Sequence, residues 1–161
     1  NKRGWDDKVE EYSTWAVKGQ ELRKSLLQLV DEDTMAFNRI MEAFGLPKNT
    51  AADVAVRKDA IENATKGAIA IPFQIMEKSM ASMEIMKAMA EMGLQASVSD
   101  AGVGALCART AVKGAFLNVK INASALKDEA YKQDVLKKGN AIQTETEKLE
   151  KEILEVVEGK L

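Results

Sequence analysis

One acidic side chain, Asp33, lies at the centre of an apolar stripe if residues 5–44 form a helix. At about 100° per residue, large apolar side chains fall on the same helix face: Leu22, Leu26, Leu29, Phe37, Ile40 and Phe44. The neighbouring acids, Asp31 and Glu32, project onto the flanks. A carboxylate among apolar side chains loses its hydration, which is costly unless it is paired or hydrogen-bonded. Asp33 is therefore a candidate functional residue.

Two interpretations of Asp33 follow from this position. In the first, the carboxylate forms an interhelical salt bridge or caps a neighbouring helix. In the second, it is a general acid and base whose pKa is raised by dry surroundings. The helical pattern leaves both open.

The residue types present restrict the chemistry of any site. Histidine is absent and Cys107 is the only cysteine, which excludes structural zinc sites, Cys-His pairs and Ser-His-Asp triads. We expect no metal site. Proton transfer would use carboxylates, lysine, tyrosine or the single thiol. A lone cysteine cannot form an internal disulfide and fits a reducing compartment, so we expect a cytoplasmic protein.

Charge and hydropathy argue against two classes of partner. The net charge is −2, with acids and bases interspersed, so there is no basic surface for nucleic acid or for an anionic membrane. The longest uncharged stretch, around residues 67–76, is too short to cross a bilayer. We therefore expect neither nucleic acid nor a membrane as partner.

Composition predicts a single all-α domain over residues 1–161. The chain has only two prolines and is rich in Ala, Glu, Lys, Leu and Met. Turn signals divide it into four long helices, predicted at about residues 5–44, 50–92, 97–122 and 128–158. Gly45 is expected to end the first as a left-handed cap, and the sequence TAAD at 50–53 to begin the second as a capping box. Pro72 removes one backbone hydrogen bond inside the second helix.

The second helix carries more apolar surface than one bundle is expected to cover. Methionines at positions 76, 80, 83, 86, 89 and 92 wind around most of it, and small residues line one side of the third helix. This pattern predicts a homodimer formed through the second and third helices. The fourth helix, rich in Glu and Lys, is predicted to be the most exposed, with Gly139 weakening it locally.

Three segments contain combinations of residues that helix packing alone does not explain. They read LVDEDTMAF at 29–37, LPK at 46–48, and SDAGVG at 99–104 leading into GAFLNVKIN at 114–122. In this order and spacing they resemble the cyclodeaminase/cyclohydrolase family, the C-terminal part of formiminotransferase-cyclodeaminase. The resemblance covers essentially the whole chain. Its motifs are specific in combination, whereas each alone is weak.

The resemblance implies an all-helical homodimer that closes 5-formiminotetrahydrofolate to 5,10-methenyltetrahydrofolate with loss of ammonia. Such an ammonia-lyase of histidine degradation needs no cofactor beyond its reduced folate substrate, which a formiminotransferase domain or protein supplies. The alternative enzyme is a methenyltetrahydrofolate cyclohydrolase. The alternative of another class is a noncatalytic helical interaction protein with the same fold.

The family's proposed catalytic aspartate corresponds to Asp33, so the resemblance and the helical pattern point to one residue. Phe37 completes the same motif and is a candidate substrate contact. Lys48 is a candidate partner for a folate carboxylate, or else a solvated loop lysine.

Asp100 and Asn118 are the remaining candidates for substrate binding. Asp100 begins a predicted helix and is either a cap or a ligand contact. Asn118 follows on the same face about 27 Å further along. The two would touch opposite ends of a folate, or Asn118 and Asn122 bond to neighbouring helices.

The sequence departs from the family in two places. The family's Pro-Gly-Gly-Gly-Ser turn and first helix have no counterpart upstream of Asn1, so we expect a further N-terminal helix and a Gly-rich segment to be missing. Residues 93–97 read GLQAS, without the two asparagines usual in the family. Folate binding is expected to be affected at Leu94 and Ala96.

Overall fold

The computed structural model describes residues 6–161, which form four long helices. They are α1 (Val9–Gly45), α2 (Ala51–Met92), α3 (Val98–Ser124) and α4 (Glu129–Glu158). Short 3-10 turns precede α1 and α3. The predicted all-α fold is confirmed, and the helix ends agree with the prediction to within a few residues. The expected start near Trp5 lies outside the described residues. No helix within 6–161 is long and apolar enough to cross a membrane.

The turn between α1 and α2 follows from local sequence. Gly45 is the last helical residue and not a left-handed cap, so that prediction is wrong. The helix ends because Leu46 turns extended ahead of Pro47 (φ −62°, ψ 148°), as the residue before a proline usually does. The predicted capping box is confirmed: the Asp53 amide donates to the Thr50 hydroxyl oxygen, and the Thr50 amide donates to the Asp53 carboxylate.

The central helix is α2, which packs against α1, α3 and α4. Met76 and Met83 are fully buried, and Met80, Met86 and Met89 are partly buried against the same chain. The chain itself therefore covers part of this methionine surface, and the homodimer through α2 and α3 stays a prediction. The large exposed apolar residues lie mainly on α1 and α3 instead, among them Val30, Phe37, Met41, Phe44, Val103, Leu106, Leu117 and Ile121.

The most exposed long helix is α1, not α4 as predicted. Among the long helices, α1 contacts only α2 within the described part of the chain. Its buried residues are Leu29, Ala36 and Ala43, all on one narrow face. Since nothing in residues 6–161 covers its other faces, α1 presents its apolar stripe at the surface.

The bundle closes where α4 meets α3. Phe116 of α3 is fully buried in a cluster with residues of α2 and α4, including Ile69 and Val135. Its ring lies against Gly139, where an added Cβ would come within 2.3 Å of a ring carbon. Gly139 was predicted to weaken α4, but here the lack of a side chain permits the closest approach of the two helices.

The turn between α3 and α4 is held to α2 by polar contacts. The Glu62 carboxylate accepts hydrogen bonds from the amides of Lys127 (3.2 Å) and Asp128 (3.1 Å). Asp128 caps α4 by accepting from the Tyr131 amide, and it pairs with the Lys66 ammonium at 2.6 Å. The hydrogen bond from Lys66 lowers the pKa of the Asp128 carboxyl below its usual value. These contacts set the position of α3 along α2.

Candidate active site: a groove between α1 and α3

A groove of about 390 Å³ runs along α2 between α1 and α3. Its α2 floor includes Ser79 and Ile85. The α1 wall consists of Gly19, Leu22, Arg23 and Leu26, and the α3 wall of Gly104, Cys107, Ala108 and Ala111. The groove is open because α1 and α3 do not pack against each other anywhere in residues 6–161.

Asp33 and Asn118 continue the two walls of this groove. The four residues of the α1 wall precede Asp33 by 14, 11, 10 and 7 positions, and the four of the α3 wall precede Asn118 by the same intervals. These intervals place each set on one side of its helix. Asp33 and Asn118 therefore face the groove from opposite walls, about 10 Å beyond its last lining residues.

Contacts with α2 put Asp33 and Asn118 at the same level of the bundle. The cluster that buries Ala36, close to Asp33 on α1, includes Ala68 of α2. Asn122 of α3, one turn beyond Asn118, donates from Nδ2 to the Ala68 carbonyl oxygen at 3.1 Å. Because both helices meet α2 near Ala68, Asp33 and Asn118 lie at about the same level along α2.

The contact between Asn122 and Ala68 follows from the proline in α2. Pro72 has no N–H, so the Ala68 carbonyl lacks its helical donor. Asn122 Nδ2 takes that role and also donates to Asn118 Oδ1 at 3.0 Å. The interpretation that Asn118 and Asn122 bond to neighbouring helices is confirmed for Asn122 only, since Asn118 bonds to Asn122 within α3. The Asn118 amide nitrogen has no partner among the described residues and remains available to donate into the groove.

This network predicts that Asn122→Ala lowers the free energy of unfolding by about 1–3 kcal/mol, because the Ala68 carbonyl loses its donor. Pro72→Ala restores an N–H at the right place in α2. The loss caused by Asn122→Ala should therefore shrink in the Pro72→Ala background. Urea unfolding of the four proteins in this cycle measures the coupling. Equal losses in both backgrounds would contradict the network.

Asp33 itself is exposed, and it forms no hydrogen bond or ion pair within residues 6–161. The prediction that this chain desolvates the carboxylate is therefore wrong. The reason is that α1 meets α2 through the face of Leu29, Ala36 and Ala43, which is rotated from Asp33 by about 40–80°. The described residues provide neither a salt-bridge partner for Asp33 nor a helix end for it to cap.

The structure brings together only some of the predicted site residues. Phe37 lies one turn from Asp33 on the same side of α1 and is 61% exposed. Lys48 is exposed in the turn after α1, beyond the end of the helix that carries Asp33. The structure therefore groups Asp33, Phe37 and Asn118 and leaves Lys48 apart.

Asp100 lies at the far end of the bundle. It is exposed in the first turn of α3, close to the end of α2, where Tyr12 of α1 donates to the Met92 carbonyl. Tyr12 precedes Asp33 by 21 residues, or about 30 Å of helix. Leu94, in the same turn region, is equally remote from Asp33.

Arg23 is a further residue of this groove that the apolar pattern of α1 does not reveal. Among the described residues that line the groove, it is the only charged one. It precedes Asp33 by ten positions, and the same helical wheel that selected Asp33 could have placed it on this side of α1.

Comparison with known proteins agrees with this fold. Residues 1–141 match the formiminotransferase-cyclodeaminase family. The methenyltetrahydrofolate cyclohydrolase of Methylorubrum extorquens is 34% identical over 144 residues, which cover 89% of this chain and 69% of that protein. The formimidoyltransferase-cyclodeaminases of Mus musculus and Gallus gallus are 33% and 36% identical, over 67% and 68% of this chain. The chain spans only 20% of the length of each of these two animal proteins.

A solved structure shares the whole fold. The crystal structure of formiminotetrahydrofolate cyclodeaminase from Thermotoga maritima matches with a TM-score of 0.84 and 22% sequence identity, covering 99% of this chain and 75% of that one. At this identity the match shows the fold alone. Together with the family match over residues 1–141, it leads to one conclusion: the chain belongs to the formiminotransferase-cyclodeaminase family.

Proposed function

We propose that the chain is an enzyme acting on the one-carbon unit between N5 and N10 of tetrahydrofolate. Its reaction is closure of 5-formiminotetrahydrofolate to 5,10-methenyltetrahydrofolate with release of ammonia. The observation that carries the proposal is a carboxylate, Asp33, that has no partner within residues 6–161 and lies on the same side of α1 as the groove-lining residues, with the Asn118 amide on the corresponding side of α3. Relatives named for cyclodeaminase activity support this choice.

The reaction requires one proton to leave N10 and two to reach the departing nitrogen, with a net uptake of one proton from the solvent. N10 attacks the formimino carbon, and its proton passes to the Asp33 carboxylate. The imine nitrogen takes a proton from water and becomes an amine. The Asp33 carboxylic acid then protonates this amine as its bond to carbon breaks, which yields the methenyl cation and ammonia. A carboxylate without a fixed partner can perform both transfers in turn.

The neighbouring residues would hold the substrate for these steps. The Asn118 amide nitrogen would donate a hydrogen bond to the polar one-carbon unit, while Asn122 fixes its orientation. Phe37 offers an exposed aromatic face for the pterin ring. Lys48 and Asp100 lie too far from Asp33 to touch the same one-carbon unit.

The proposal includes a homodimer. Apolar side chains next to Asp33 on α1 are exposed in the single chain: Val30, Phe37, Met41 and Phe44. A second copy over this surface would bury them and exclude water from Asp33. The dimer interface would then involve α1, rather than the methionines of α2.

A second candidate is the cyclohydrolase reaction, favoured by the Methylorubrum extorquens relative, which matches 89% of this chain. Here Asp33 would take a proton from water as the water attacks the methenyl carbon. The acid would then protonate N5 as the bond from N5 to that carbon breaks, and the hydroxyl proton would pass to the solvent as the carbonyl forms, which gives 10-formyltetrahydrofolate. The same groove serves both reactions, since they share 5,10-methenyltetrahydrofolate.

One absorbance assay separates these functions, because the methenyl compound absorbs in the near ultraviolet. With 5-formiminotetrahydrofolate, the purified protein is expected to produce this absorbance together with an equal amount of ammonia. Loss of absorbance from added methenyltetrahydrofolate, faster than without protein, would instead identify a cyclohydrolase. No change with either compound would favour a noncatalytic interaction protein and refute the proposal.

A further inference from the structure

We propose that the groove between α1 and α3 binds the aminobenzoylglutamate tail of the folate, with a substrate carboxylate paired to Arg23. The one-carbon unit would then lie between Asp33 and Asn118. This inference rests on the proposed function. It adds a direction of binding, with the pterin end at Asp33 and the glutamate end toward the N-terminal half of α1. It also assigns Arg23 as a specificity residue.

The lining of the groove suits an aryl ring followed by a carboxylate. Within residues 6–161, Arg23 is its only charged lining residue. Leu22 and Leu26 of α1 face the small Ala108 and Ala111 of α3. Apolar walls with a single cation are typical of a site that takes an apolar body carrying one anionic end.

The spacing along α1 fits the length of the tail. Arg23 and Asp33 are ten residues apart on one helix, which is about 15 Å along the axis. From N10 to the γ-carboxyl carbon, the extended aminobenzoylglutamate chain spans about 12 Å at ordinary bond lengths. The long arginine side chain covers the difference, so both ends of the ligand can be held together.

The charges of the groove complement those of the folate in this direction only. The 5,10-methenyl unit is cationic and would lie at Asp33, while the glutamate is anionic and would lie at Arg23. The reverse direction would bring like charges together. Within residues 6–161 the Arg23 guanidinium makes one long contact, from Nη1 to Gln20 Oε1 at 3.4 Å, and Gln20 lies outside the groove. The remaining donors of the guanidinium are available for a bidentate pair with a carboxylate.

The test compares two ligands on three proteins. The ligands are 5-formyltetrahydrofolate and 5-formyltetrahydropteroate, which lacks the glutamate. We expect Arg23→Gln to weaken binding of the first about tenfold, the scale of one charge-assisted pair, and to leave binding of the second unchanged. Lys24→Gln is the matched control: it removes the same charge one residue later, but Lys24 faces away from the groove. Titration calorimetry measures all six affinities.

A second readout uses the thiol on the α3 wall. Cys107 is exposed, so a ligand in the groove should slow its alkylation by a maleimide. We expect 5-formyltetrahydrofolate to protect Cys107 in the parent protein and to protect it less in Arg23→Gln at the same ligand concentration. Unchanged alkylation with saturating ligand would place the tail outside the groove and overturn the inference.

The outcomes distinguish this inference from the proposed function. If Arg23→Gln binds both ligands with the affinity of the parent, or binds both more weakly by the same factor, Arg23 does not contact the glutamate. The inference is wrong in either case. The proposed function would still stand in that case, provided that the parent protein cyclises 5-formiminotetrahydrofolate. A parent protein that binds neither ligand and cyclises nothing would overturn both.

Discussion

Asp33→Asn should yield a folded protein that forms 5,10-methenyltetrahydrofolate about two to four orders of magnitude more slowly than the parent. Asparagine keeps the size and hydrogen-bonding capacity of the side chain but cannot accept a proton and return it. Because Asp33 has no ion-pair partner among the described residues, the substitution leaves no charge unpaired in the chain. Folate affinity and melting temperature should therefore stay near those of the parent.

The matched control for this experiment is Asp31→Asn. Asp31 is also exposed on α1 but projects away from the groove, so its loss should leave the rate near that of the parent. The rate is followed by near-ultraviolet absorbance, alongside thermal melting of each variant. An Asp33→Asn protein that works at the parental rate, or that loses activity only because it unfolds, would remove Asp33 from the mechanism.

Phe116→Ala is expected to lower the free energy of unfolding by about 3–5 kcal/mol. The ring is fully buried between α2, α3 and α4, so its removal loses apolar burial and leaves a cavity. The control is the next residue, Leu117, which is 60% exposed. Leu117→Ala should change stability by about 0.5 kcal/mol or less. Urea unfolding gives both values, and similar losses at the two positions would contradict this packing.

Gly139, which lies against the Phe116 ring, provides an independent check on this packing. Gly139→Ala should destabilise the parent by about 1–3 kcal/mol, since the new Cβ would overlap the Phe116 ring. In the Phe116→Ala background the ring is absent, so the same substitution should cost less. Equal costs in the two backgrounds would show that the two residues do not touch.

The sequence predicted the elements of the fold because local rules decide them. The Thr50 hydroxyl and Asp53 carboxylate form the expected capping box, since both partners are three residues apart in one turn. Pro47 ends α1 and Pro72 removes a backbone donor for the same local reasons. The family motifs are also local in sequence, and they were sufficient to recognise the family that the comparisons show.

Whether Asp33 is buried could not be predicted from local sequence rules. A helical wheel gives the angle between side chains on one helix, but not which face meets a neighbour. Only α2 packs on α1 among the long helices described, so one face of the apolar stripe is covered and Asp33 stays exposed. The methionines of α2 show the opposite outcome, since three helices of the same chain surround them.

The composition of the site was likewise decided by tertiary structure. The spacing of Asp100 and Asn118 places both on one face of α3. That spacing does not show which residues of other helices lie opposite them. The structure instead sets Asn118 opposite Asp33, because Asn122 bonds to the Ala68 carbonyl that Pro72 leaves without a donor. The sequence by itself determined the helices, their ends and the candidate carboxylate. Only packing determined how far each helix is displaced along α2, and that displacement decides which side chains face the same groove.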